Sequence, residues 1–128
     1  MAFQESVAVR NARLDAIQTT IGTSPVLKLF SGAEPANCAA ADPSGLLATI
    51  TLPSTWMAAA SGGVKAKSGT WSGSASAGGT IASWRIYDSG GTTCHMQGNT
   101  TDMTFDNTVV ANAQVITVNT FSMTAGNA

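Results

Sequence analysis

Apolar residues near the start of the chain recur with the period of an α-helix. Four of them, spaced seven, three and four residues apart, fall on one helical face: Val7, Leu14, Ile17 and Ile21. Gly22 follows the last of these residues, and glycine commonly ends a helix. The pattern predicts one helix, over residues 5–21.

The next apolar segment is typical of a strand that is covered on both faces. Residues 25–31 are apolar on both faces apart from Lys28, which predicts a strand between the sheet core and the N-terminal helix. Residues 32–45 follow; they are rich in Ala, Pro, Asn and Asp and are too many for a hairpin turn. We expect this segment to be an excursion across the surface or a contact arm.

Further along the chain, apolar and polar residues alternate with the period of β-strands. Residues 46–52 predict a half-buried strand. Residues 64–68 and 70–76 alternate in the same way around Lys65 and Trp71, and they predict strands that face solvent.

The strongest strand pattern lies in residues 80–88 and leads into a hairpin turn. It places Trp84 and Ile86 on one face and Arg85 on the other. The sequence Asp-Ser-Gly-Gly at 88–91 supplies the glycines that a tight turn requires.

Three later strands complete the pattern, and the middle one is a short strand around Met103 and Phe105. The partner strand of the hairpin, residues 92–97, is predicted to turn Cys94 and Met96 inward. In the last strand, residues 114–124, the buried parity changes near Asn119, which is produced by a β-bulge or by a strand that leaves one sheet and joins another.

About eight short strands at regular spacing, with one covering helix, indicate a mostly β protein with a β-sandwich or jelly-roll-like fold. We assign the helix to residues 5–21 and the sandwich to residues 25–124. The chain has 128 residues, 44% of them hydrophobic, which is enough to bury a core of its own. We therefore expect a single domain over residues 1–128.

Charge is sparse and excludes two classes of partner. Only 10% of the residues are charged and the net charge is -1. The six Lys and Arg residues are scattered and form no basic stripe, so we expect no nucleic-acid binding. No apolar run approaches the roughly 20 residues of a membrane-spanning helix, and the N-terminus lacks a signal pattern. We expect a soluble protein made in a cytoplasm, without a membrane partner.

The two cysteines, Cys38 and Cys94, are expected to be reduced and largely buried, because cytosolic thiols are kept reduced. A bridge between them requires Cα atoms about 4.4 to 6.8 Å apart, which leaves the pairing open.

No group of residues carries a recognisable catalytic pattern. His95 is the only histidine, so any Ser-His-Asp or Cys-His mechanism must use it. Strand alternation directs His95 outward and its neighbour Cys94 to the opposite face. We expect His95 to be a surface or interface residue, and the chain to have no catalytic residues and no enzymatic activity.

Metal and cofactor sites are equally unsupported. One His and two distant Cys give no zinc spacing, and the glycine pairs do not precede a helix as phosphate-binding loops do. Asp102 and Asp106 share a strand face with Thr104, which indicates a polar solvent face in preference to a cation site. We expect no metal and no cofactor.

Aromatic side chains offer an alternative function, a carbohydrate-binding face. The candidates are Trp56, Trp71, Trp84 and Tyr87. Parity places Trp84 in the core, and Trp71 is the one ring expected to be exposed, since Ser, Thr and Gly surround it. Exposed aromatic residues mark protein interfaces at least as often as sugar sites.

Several motifs resemble those of a family of small virion proteins of tailed bacteriophages. The opening helix is similar through Val-Arg-Asn-Ala-Arg-Leu-Asp-Ala-Ile at 9–17. From residue 46 the likeness lies in Leu-Leu-Ala-Thr at 46–49, Ala-Ala-Ala-Ser-Gly-Gly at 58–63, Ser-Gly-Thr-Trp-Ser-Gly at 68–73, Trp-Arg-Ile-Tyr-Asp-Ser at 84–89, Thr-Thr-Cys-His-Met-Gln-Gly at 92–98 and Asp-Met-Thr-Phe-Asp-Asn-Thr at 102–108.

This resemblance implies a structural component of the virion with no enzyme site. We expect a capsid decoration or cement protein, made in the host cytoplasm, that bridges major capsid protein subunits on the outer head surface. A neutral, hydroxyl-rich surface suits that location. Cyclic closure favours homo-oligomers, and we expect trimers. The expected contacts are the helix, residues 32–45 and the sheet edges. A tail or fibre-base protein and a carbohydrate-binding module are the alternatives.

Overall fold

The computed structural model describes residues 3–126. Its one helix among these residues, α1, spans Val7–Ile21. Ser6 caps the first turn by accepting a hydrogen bond from the Val9 N–H at 3.2 Å. Gly22 ends the helix with φ at 92°, a left-handed conformation that favours glycine. The predicted helix is confirmed, with its first turn two residues later than expected.

Ten strands follow within the described residues, and every pairing among them is antiparallel. They are β1 Val26–Phe30, β2 Leu46–Thr51, β3 Val64–Ala66, β4 Ser72–Ser74, β5 Gly79–Thr80, β6 Ser83–Tyr87, β7 Cys94–Asn99, β8 Met103–Phe105, β9 Val109–Val110 and β10 Val115–Thr124. The predicted β-sandwich with one helix is confirmed.

The strands form two main sheets. The first sheet has the order β2-β1-β6-β7, and the second is organised around the long strand β10. β4 pairs with the first residues of β10, β8 with its middle and β3 with its last residues. The register against β8 shifts between Val118 and Thr120, which confirms the bulge predicted near Asn119.

The hairpin of β6 and β7 also matches the prediction. Its turn is held by the Asp88 carboxylate, which accepts hydrogen bonds from the N–H groups of Thr92, at 3.0 Å, and Thr93, at 3.4 Å. These two donors stabilise the charged form and lower the pKa of Asp88. Gly91, at φ 70°, completes the turn.

Aromatic rings join the two sheets in the core. Trp84 meets Phe121 edge-on at 5.3 Å between ring centroids, and Phe121 in turn contacts Trp71 at 5.7 Å. The expectation that Trp71 is exposed is wrong, because this ring is 0% exposed and its indole N–H donates to the Ser68 carbonyl. Trp71 lies just before β4, and its ring turns into the core while its polar neighbours Thr70 and Ser72 are exposed.

The helix packs against β3 and the segment before it, so its predicted place over β1 is wrong. The Asn11 side chain accepts a hydrogen bond from the Gly63 N–H at 2.9 Å, and Gln18 donates to the Met57 carbonyl. Leu14 and Ile21 are buried in this contact, whereas Val7, predicted on the same face, is exposed. On the outer face of the first sheet, β6 and β7 are bonded instead to residues 32–45, here called the arm.

β3 was predicted to face solvent, but the structure turns its lysine inward. Lys65 is 1% exposed, while Val64 on the other face is 40% exposed. The inward position of Lys65 follows from the helix, which presents a carboxylate to it, as described below.

Gly98 in β7 is a glycine at which a larger residue should disturb the core. A Cβ atom at this position would lie 2.5 Å from Cζ2 of Trp84, whose ring is held by Phe121 and by a hydrogen bond to the Asn99 carbonyl. We expect Gly98→Ala to lower the free energy of unfolding by about 1–3 kcal/mol through overpacking. Urea denaturation measures this loss. Gly126→Ala is the matched control, because nothing lies within 4 Å of its added Cβ, and an equal loss in both variants would contradict the prediction.

Candidate functional site

The arm is attached to the first sheet by a buried arginine. Arg85 of β6 points to the outer face and is only 2% exposed. Its guanidinium donates hydrogen bonds to the carbonyls of Asn37 and Ala40, both at 3.0 Å, and to the Asp42 carboxylate at 2.9 Å. Two further donations go to the Gln97 side-chain oxygen. The arm thus supplies most of the acceptors that a buried guanidinium needs.

Two neighbours of Arg85 extend this attachment. Gln97 uses its amide nitrogen to donate to the Pro35 carbonyl at 2.7 Å. The Tyr87 hydroxyl donates to the Asp42 carboxylate, and burial followed by this hydrogen bond raises the pKa of Tyr87. The arm is therefore held at four points between Pro35 and Asp42. Sequence alternation predicted the outward direction of Arg85 but did not identify the arm as its partner.

Cys94 lies on this outer face, and its predicted inward position is wrong. The register between β6 and β7 shifts by one residue, so that Met96 pairs with Ile86 whereas Cys94 pairs with Tyr87. This bulge moves Cys94 to the side of Arg85 and the arm. Cys38 and Cys94 are both free and partly exposed. Burial, and after it the interaction with neighbouring Cys38, raises the pKa of Cys94 to about 12.

His95 lies beside the helix, partly exposed. It borders a shallow depression whose other walls are Arg13, Ala16, Ile17, Thr20 and Ile21. Within residues 3–126, no group of three or more His, Cys, Asp or Glu side chains is placed to hold a metal ion. The same part of the chain contains no helix long and apolar enough to cross a bilayer.

Asp102 and Asp106 each support local backbone structure. Asp102 accepts a hydrogen bond from the Asn99 N–H at 3.0 Å, and Asp106 accepts one from the Thr117 N–H at 3.1 Å. Both residues are exposed, as is Thr104 between them. The two carboxylates thus act as acceptors for a turn and for the edge of β10.

A second buried cation joins the helix to β3. The ammonium group of Lys65 lies 2.6 Å from the Asp15 carboxylate and 2.9 Å from the Ala58 carbonyl. The Asp15 carboxylate also accepts the Ala60 N–H at 3.1 Å. The hydrogen bond from Lys65, then the one from Ala60, lowers the pKa of Asp15. Neither the helical period nor the strand alternation signals this pair.

The four aromatic rings considered for sugar stacking are all buried. Trp56, Trp71, Trp84 and Tyr87 expose at most 3% of their surface. The Trp56 indole N–H donates to the Gly22 carbonyl, which anchors the end of the helix. These four rings therefore provide core packing and no stacking platform.

The larger exposed apolar side chains fall into two groups at opposite ends of the sandwich. The helix-end group consists of Phe3, Val7, Val9 and Val64. The loop-end group consists of Leu46, Val109 and Val115. Val115 begins β10 and Val64 pairs with its last residue, Thr124. At about 3.3 Å per residue, Val64 and Val115 lie about 30 Å apart along this strand.

No protein-family model matches this chain, and no curated protein and no solved structure is similar to it. The resemblance to phage virion proteins accordingly stays a prediction. The function of the protein has to be inferred from its own residues.

Replacement of Arg85 should release the arm. In Arg85→Met the arm loses the cation that binds Asn37, Ala40 and Asp42, and we expect the free energy of unfolding to fall by roughly 2–4 kcal/mol. A Glu-specific protease should then cut faster after Glu34, while the cut after Glu5 serves as an internal reference. Lys28→Met, another cation on the same face, is the control. Unchanged cleavage after Glu34 would show that Arg85 does not hold the arm.

The Asp15–Lys65 pair should respond asymmetrically to substitution. Asp15→Asn leaves a buried ammonium group without its counterion, whereas Lys65→Met leaves a carboxylate that water still reaches. We expect Asp15→Asn to be the more destabilising change. Urea unfolding at pH 7 tests this order, and a larger loss in Lys65→Met would refute it.

The same pair predicts a pH dependence. Because the pKa of Asp15 is lower in the folded state, its contribution is present above the unfolded pKa of about 4 and is lost as the pH falls through the folded value. Stability measured from pH 7 downwards should therefore decline less in Asp15→Asn than in the unchanged protein.

Proposed function

We propose that this protein is a structural component of a tailed-bacteriophage virion, a capsid decoration or cement protein on the outer head surface. It bridges adjacent subunits of the major capsid protein. The observation that carries the proposal is how the side chains are distributed. The cationic side chains bond to other residues of the same chain, while exposed apolar side chains lie at the two ends of the molecule.

All six Lys and Arg side chains bond within the protein. Three form ion pairs, Arg13 with Glu5, Lys65 with Asp15 and Arg85 with Asp42. The other three donate to backbone carbonyls, Arg10 to Ala125, Lys28 to Gly91 and Lys67 to Gly69. Phosphate recognition needs cations that are available to the ligand. This arrangement favours a partner that is protein over one that is nucleic acid.

The two apolar groups suit a bridging protein. Single exposed apolar residues are ordinary on a protein surface, but here they lie in two groups at the ends of the sandwich. Ion pairs with buried cations and aromatic packing make the sandwich between them rigid. One end can contact one neighbour and the other end a second neighbour about 30 Å away. The exposed alanines of the arm add a third surface.

Bridging stabilises a shell by mass action. A protein that binds the assembled lattice and not the free subunits lowers the free energy of the assembled state. Trimers with cyclic symmetry multiply weak contacts by avidity, because each bound copy holds the next near its site. This mechanism requires a fixed shape and contact area and needs no reacting group. It agrees with the observation that the cationic side chains bond to other residues of the same chain.

The test uses heads of the phage that encodes this protein, after the protein has been removed from them. Purified protein is then added back and its binding is measured. We expect saturable co-sedimentation with heads. We also expect Val9→Asp at the helix end and Val109→Asp at the loop end each to weaken binding about tenfold or more, since each change buries an unpaired charge. Ser54→Asp introduces the same charge at an exposed loop position outside both groups and should bind normally.

The outcomes separate the candidate functions. Binding to tails but not to heads would replace the head assignment with a tail or fibre-base role. Saturable binding to glycans, with no affinity for particles, would support a carbohydrate-binding module. Circular dichroism of each variant confirms folding, and full binding by both Val→Asp variants would contradict the bridging proposal.

A further inference from the structure

The arm brings Cys38 to a defined place on the first sheet. Cys38 lies between Asn37 and Ala40, whose carbonyls both accept hydrogen bonds from Arg85 at 3.0 Å. The Asn37 side chain also accepts the N–H groups of Ala39 and Ala40, which closes a tight turn around Cys38. The position of this thiol is therefore set by at least four hydrogen bonds.

Cys94 is directed to the same place from the sheet. It pairs with Tyr87, two residues along β6 from Arg85, and the bulge in β7 puts it on the outer face. The Cys94 thiol donates a hydrogen bond to the Met96 carbonyl at 3.4 Å. Cys94 and the residues on both sides of Cys38 lie around the same guanidinium, that of Arg85, and the nearness of Cys38 contributes to the raised pKa of Cys94. Both side chains are partly exposed, which leaves them accessible to a small reagent.

We propose that Cys38 and Cys94 form an intramolecular disulfide that fastens the arm to the first sheet when the protein meets an oxidising environment. The thiols are free while the protein is in a reducing cytoplasm and become linked after release from it. This inference does not depend on the virion proposal, because it concerns two side chains of one chain.

The chemistry requires a small-molecule disulfide as the oxidant. The Cys38 thiol loses its proton, and the thiolate attacks one sulfur of the oxidant, expelling a small thiolate that takes up a proton. The Cys94 sulfur, on losing its own proton, then displaces the second small thiol from Cys38. In total two electrons and two protons pass from the cysteines to the oxidant, which becomes two thiols. Because burial disfavours the Cys94 thiolate, Cys38 is the thiol that attacks the oxidant first, and the second step is promoted by the closeness of the two sulfur atoms in one molecule.

The bridge would lock the arm onto the molecule. The hydrogen bonds of Arg85 already hold the arm, but they open whenever this face unfolds locally. A covalent link between residues 38 and 94 prevents that separation and restricts the unfolded chain. The outward residues of the arm are then presented in one conformation.

Oxidation of the native protein tests the proposal without any substitution. The folded chain is incubated with oxidised glutathione or with dithiothreitol, blocked with iodoacetamide, and digested with trypsin after Lys28, Lys65 and Arg85. We expect two free thiols in the reduced sample and none in the oxidised one. The oxidised digest should contain peptide 29–65 joined to peptide 86–128. The midpoint of urea unfolding should rise, and the amides of Ala39 and Ala40 should exchange more slowly.

Substitutions supply the matched controls. Cys38→Ser and Cys94→Ser each keep one thiol, and with the same oxidant they should give glutathione adducts without the joined peptide or the rise in urea midpoint. Two outcomes would overturn the proposal. In one, the native protein keeps both thiols in oxidised glutathione; in the other, it loses them only to glutathione adducts or to links between chains.

Discussion

The burial of the Arg85 guanidinium is the constraint on which the position of the arm depends. A cation that is 2% exposed is costly unless its donors are bonded, and the first sheet alone offers it only Gln97. The remaining acceptors are carbonyls of the arm and the carboxylate of Asp42. The arm must therefore cross this face, and in doing so it covers β6 on its second side.

The arm and the helix lie against different sheets. The arm occupies the outer face of β6 and β7, and the helix packs against β3 and the segment before it. There a second cation, Lys65, becomes buried and is paired with Asp15 from the helix. In both pairs the cation is buried and the carboxylate is partly exposed to water. The helix and the arm are therefore attached to the sheets by the same kind of ion pair.

The functional proposals follow from how the side chains are distributed. Charged groups bind the helix and the arm to the sheets, and the aromatic rings fill the core. The surface that is left is neutral, with apolar groups near its two ends, which favours contact with other proteins over chemistry on a substrate. A disulfide between Cys38 and Cys94 would strengthen the attachment that Arg85 already makes.

The sequence by itself determined the elements that depend on neighbouring residues. Gly22 ends the helix, Asp88 and its glycines form the hairpin turn, and the changed parity near Asn119 marks a real bulge, because helix ends, turns and bulges are local. Only the tertiary structure decided which faces are covered. Alternation assigns Lys65 to one side of its strand and groups Trp71 with polar neighbours, but the burial of each depends on what packs there from distant parts of the chain. For Cys94, a single extra residue in β7 reversed the predicted face, and for the arm the deciding partner lay more than forty residues away at Arg85.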